Sequence, residues 1–81
     1  MKIIRESNSM NLAGPKIKKA RLQNGLTQEQ LSAKLETIAV YIDRASISKI
    51  EQQKRIVTDY ELMAFSKILK VSVHWLLNVY H

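Results

Sequence analysis

LETIAVYI (Leu35–Ile42) runs without a break into DRASISKIE (Asp43–Glu51). The two pieces pull in different directions. LETIAVYI is β-branched and aromatic, free of glycine and proline, and by propensity it is a strand. Yet Leu31, Leu35, Ile38 and Ile42 recur at spacings of 4, 3 and 4, which places them on one stripe of a helix. A lone strand would find no partner strand in this chain. The spacing therefore predicts that a helix opened at Thr27 continues past Leu35 and breaks before Asp43, with an irregular turn near Ala39 to Ile42. Asp43 then serves as N-cap of the next helix, its carboxylate accepting from first-turn N–H groups and favoured there by the helix dipole.

That next helix has two faces. On a wheel advancing about 100° per residue, Ser48, Gln52, Ala45 and Lys49 fall within roughly 140° of Arg44. Ile47 and Ile50 fall on the other side and point to a core. The polar face carries a guanidinium, an ammonium, a hydroxyl, an amide and a methyl, a set that suits base edges: Arg or Lys to guanine, Gln to adenine, a methyl against thymine. An ordinary solvated face is the alternative for any amphipathic helix taken alone.

Upstream, Thr27 and Gln30 form a T-x-x-Q capping box for the second helix. Gly14-Pro15 opens a first helix, with Ile17, Ala20 and Arg21 on one side, and Gly25 stops it as a left-handed cap. Its Lys16, Lys18 and Lys19 sit against the dipole. Downstream, Lys54 to Val57 connect to a fourth helix capped by Thr58 and Glu61, whose buried stripe is Leu62, Phe65 and Leu69. Ser72 caps a short fifth helix where Val73, Leu76 and Leu77 can pack. The expectation is an all-α fold, a compact five-helix bundle with a lengthened connection between helices two and three. Residues 1–13 carry little periodicity and are expected to form a partly ordered N-terminal arm ahead of a single domain at 14–81.

Composition bounds the function. The chain has 81 residues, room for one small domain. It has no cysteine, hence no disulfide, thiolate site or cysteine nucleophile. No secretory signal and no run of 18 apolar residues is present, so no membrane span is expected and the cytoplasm is the default location. Thirteen Lys and Arg against seven Asp and Glu give a net charge of +6, which points to an anionic partner or to an uncommitted basic surface. His74 and His81 lack carboxylates at ligand spacing, so no metal and no cofactor is expected. No phosphate-binding loop and no nucleophile elbow occurs, and the expectation is that the chain is not an enzyme.

IKKARLQNGLTQEQLSAKL, RASISKIE and ELMAFSKILKVSVHWLL stand in this order. Together they resemble the helix-turn-helix family of the phage repressors and Cro, the Cro/C1 or Xre type, across about residues 14 to 78. The resemblance implies a five-helix bundle that binds double-stranded DNA, commonly as a homodimer on a near-palindromic operator. Residue by residue, it implies that Arg44, Ala45 and Lys49 face bases, with Ser48 beside them, on a recognition helix at about 44–53. It implies that Gln28 meets a backbone phosphate and braces that helix, and that Lys54 and Arg55 meet phosphate just beyond it. Arg21 and Glu51 match a partly buried salt bridge. The departure from the pattern is the opening stretch. Fourteen residues, Glu36 to Lys49, separate Leu35 from Ile50, about five more than the resemblance leads one to expect.

Two aromatic residues are left with alternatives. Tyr41 is expected in the core or an interface, with the DNA backbone as the other possibility. Trp75 either finishes the core or joins Leu76, Val79 and Tyr80 at a dimer surface. The function expected is a sequence-specific DNA-binding transcriptional regulator. The competing function is a protein-interaction module, such as an antitoxin or adaptor, that turns the same basic face toward an acidic protein.

Overall fold

A computed structural model describes residues 9–78. Five α-helices follow one another: α1 Gly14–Gln23, α2 Gln28–Glu36, α3 Arg44–Glu51, α4 Asp59–Leu69 and α5 Val73–Leu77. No strand occurs among the described residues. The start signals act as the sequence predicts. Thr27 and Thr58 each accept from the N3 backbone while Gln30 and Glu61 reach back to the cap. Asp43 accepts from the Ser46 N–H at 2.7 Å, and Ser72 from that of Trp75. Each such cap is worth about 1 kcal/mol.

The stop signals follow one backbone pattern. After α1, Gly25 takes φ 69, its N–H donates to Leu22 and the Leu26 N–H to Arg21. This is a Schellman turn. Ala39, Gln53, Lys70 and Asn78 also take left-handed φ values at the ends of α2 to α5. Here the expectation for LETIAVYI is corrected. The α2 helix ends at Glu36 and does not run on through the stretch. Ala39 turns left-handed at φ 61, and the Ala39 and Val40 N–H groups donate back to Glu36 and Leu35. Residues 40–42 then run without helix into Asp43.

The apolar spacing marked burial correctly but not by the expected geometry. Ile38 reaches the core from the turn, half-buried. Ile42 is 3% exposed, and the Ser32 hydroxyl donates to its carbonyl at 2.7 Å. In an extended segment alternate side chains point to opposite sides. Val40 and Ile42 go inward, and Tyr41 goes outward at 75% exposure. Of the expected places for Tyr41, the core does not hold, while an interface or the DNA backbone stays open to an exposed ring.

The third helix is shorter than the expected 44–53. Gln52 is its C-cap and Gln53 makes the left-handed turn, from which the Lys54 N–H donates to the Lys49 carbonyl at 2.8 Å. The core lies where α1 meets α3, α4 and α5, and where α2 meets α3 and α4. Ile17, Leu31, Leu35, Ile47, Ile50, Phe65, Leu69 and Leu76 are fully buried, each stabilising by about 1.5–3 kcal/mol. Trp75 packs half-buried against this core, with the Lys16 ammonium 4.5 Å from its ring centroid. Val79 and Tyr80, which would complete the alternative dimer surface, lie outside the described residues, as do residues 1–8 of the expected arm.

Candidate nucleic-acid interface

The surface is set by α3. Ile47 and Ile50 anchor one side of this helix in the core at full burial, so the opposite side must face out. Arg44, Ala45 and Lys49 are exposed and Ser48 is half-buried. The Ser48 hydroxyl accepts from the Gln52 amide at 2.9 Å, which orients both polar groups along the helix. The start of α2 and the residue after the α3 turn complete the surface. Gln28, Arg44, Ala45, Ser48, Lys49, Gln52 and Lys54 line one open concavity.

The charge in this concavity is arranged by what lies behind it. Its lining has three cations and no carboxylate. Glu51 belongs to the same helix but points into the bundle, where it is 8% exposed beside Arg21 at 7%. The Arg21 Nε donates to Glu51 Oε2 at 2.7 Å and Nη2 to Oε1 at 3.1 Å. Its Nη1 donates to the Leu26 carbonyl. The Gln28 Nε2 donates to the same carboxylate at 3.1 Å, which fixes the Gln28 amide at the rim. A buried pair of this kind contributes little net stability, but losing one partner would strand a charge. Asp43, the other acid of the segment, is held below the usual carboxylate range, first by the Ser46 backbone and hydroxyl hydrogen bonds and then by Lys49 and Arg55. It stays ionised as the helix cap.

The structure thus brings Gln28, Arg44, Ala45, Ser48, Lys49 and Lys54 together on one surface. Arg55 is placed differently. Its Nη1 and Nη2 grip the Glu61 carboxylate at 2.9 and 3.0 Å, and it does not line the concavity. The Glu61 hydrogen bond raises the Arg55 pKa, and the Arg55 hydrogen bond lowers that of Glu61. The guanidinium fork therefore spans the α3–α4 segment and locks it to the first turn of α4.

Sequence reasoning missed the residues beneath this surface. Asn11 accepts from the Gly14 N–H at 2.8 Å, capping α1. Its Nδ2 also donates to the carbonyls of Ile50 and Arg55 at 3.0 and 2.8 Å. The one available signal was the spacing N-x-x-G, in which an asparagine stands three residues before a helix N–H. Nothing local announced the contacts with α3. Among the described residues no group of three or more His, Cys, Asp or Glu could hold a metal ion, and no helix is long and apolar enough to cross a membrane.

Comparison with known proteins adds one finding. A family model described as helix-turn-helix matches residues 17–76. No curated protein and no solved structure matches the chain significantly.

Proposed function

The chain belongs to the Cro/C1-type helix-turn-helix family of DNA-binding regulators, matched from residue 17 to 76, and from that premise we propose that it is a sequence-specific transcriptional regulator acting in the cytoplasm, with α3 seated in the major groove. The observation that carries this reading is the carboxylate-free concavity that joins the exposed face of α3 to Gln28 and Lys54.

In this reading Arg44 and Lys49 donate to guanine O6 and N7, the Ala45 methyl meets a thymine methyl, and Ser48 and Gln52 serve neighbouring edges. Small side chains at 45 and 48 let the helix approach the bases closely. Gln28 and Lys54 take phosphate oxygens on the flanking strands and fix the register. Arg55 serves the same segment from behind, since its fork is occupied by Glu61. Two copies would read a near-palindromic site, each placing one α3 in successive major grooves about 10–10.5 bp apart.

The test is a salt titration of binding to duplex DNA. Binding should weaken linearly on log–log axes as salt rises, and Lys54→Ala should weaken all sequences alike and lower the slope by about one. Absence of duplex binding at low salt, with capture of an acidic protein instead, would favour the interaction-module reading.

A further inference from the structure

We infer that Asn11 is a positioning residue for the DNA-binding surface: it clamps the end of α3 and so sets where Lys54 stands. The inference rests on the function proposed above and adds a residue outside the matched 17–76 segment.

A helix ends with carbonyl groups that have no partner within the helix. In α3 two of these, Ile50 and Lys49, accept from the Gln53 and Lys54 N–H groups of the left-handed turn. That turn is made by a glutamine at φ 62, a left-handed conformation that a residue with a Cβ disfavours. Asn11 holds this turn from both sides. Its Nδ2 donates to the Ile50 carbonyl, before the turn, and to the Arg55 carbonyl, after it. The Gln53 side chain donates to the Asn11 carbonyl at 2.9 Å, and the Met10 N–H donates to that of Gln53, also at 2.9 Å. Lys54, which lines the concavity, lies between the two carbonyls that Asn11 holds.

The same side chain fixes the other partner. Its Oδ1 takes the Gly14 N–H, and Gly14 packs so near α3 that a Cβ there would overlap the Ile50 carbonyl oxygen. One asparagine thus ties the first N–H of α1 to the end of α3, where Gly14 lies against the Ile50 carbonyl. Asn11 touches no DNA in this arrangement. Its effect on binding passes through the backbone of residues 50–55.

Asn11→Ser separates the two duties. Serine can still cap Gly14, but its hydroxyl lacks the amide's two donors and cannot span to both carbonyls. Binding is measured on the best duplex recovered from a random pool and on a random-sequence duplex, with wild type, Asn11→Ser, Lys54→Ala and the double variant. Amide exchange of Lys54 is followed beside that of the core residue Leu31. The expected result is a loss of about three- to tenfold on both duplexes and a salt slope lower by about one. Lys54→Ala should add almost nothing on top, and exchange should quicken at Lys54 while Leu31 stays protected. Wild-type affinity for Asn11→Ser, or losses that multiply in the double variant, would overturn the inference alone. So would equal loss of protection at Lys54 and Leu31, or failure of the variant to fold, since either makes the contact a support of the whole bundle. Wild-type protein that binds neither duplex overturns the function reading, and the inference with it.

Discussion

At the scale of single residues, the charges around α3 are sorted by position. Glu51 is committed to Arg21 and Glu61 to Arg55, while Arg44, Lys49 and Lys54 line the concavity. The Glu61 pair makes stability pH-dependent with a definite sign. The Arg55 hydrogen bond holds the Glu61 carboxyl below its ordinary pKa, so the folded state binds the proton less readily than the unfolded chain. That contribution is present in full above the ordinary glutamate pKa of about 4.3 and is lost as pH falls through the depressed value. Glu61→Gln should lower stability at neutral pH and flatten its decline between about pH 5 and 3. Urea unfolding across this range measures it, and an unchanged acid profile would show that the pair is not coupled to folding.

At the scale of elements, the ends of helices matter more than their middles. Four of the described helices close on left-handed residues that are not glycine, at Ala39, Gln53, Lys70 and Asn78. Ala39 is exposed and its side chain gains little to offset the strain. Ala39→Gly should stabilise by about 0.5–1 kcal/mol, the relief of a left-handed Cβ less the entropy of glycine, and raise Tm by a few degrees. A fall in Tm would contradict the turn geometry. Gly14 is the opposite case. Gly14→Ala must push α1 away from Ile50 and should cost about 1–3 kcal/mol, read from the same melts. The helix starts were legible because caps are local: Thr27, Asp43, Thr58 and Ser72 each act within three residues. The end of α2 was not legible, since alanine gives no left-handed signal and the apolar spacing of Ile38 and Ile42 fits a helix as well as a turn followed by an extended segment. Asn11 was not legible either, because its partners lie 39 and 44 residues away. The resemblance implied a phosphate contact for Arg55, and nothing in the sequence announced its pairing with Glu61.

At the scale of the whole molecule, the bundle works as a mount. The first and second helices hold α3 by its two isoleucines and the Arg21–Glu51 pair, and the turn after α3 is held by Asn11 and by the Arg55–Glu61 clamp. With this support α3 presents one fixed face, and a net charge of +6 draws the molecule to a polyanion without specifying sequence. Specificity must then come from the face itself. Recovery of bound duplexes from a random pool, by wild type and by Arg44→Ala in parallel, tests that claim most directly. Wild type should enrich one motif, in two half-sites about one helical turn apart. Arg44→Ala should recover the same motif with preference relaxed at a single position per half-site, a loss of about 1–3 kcal/mol there. No enrichment by wild type, or an identical motif from Arg44→Ala, would contradict the assignment of α3 as the reading helix.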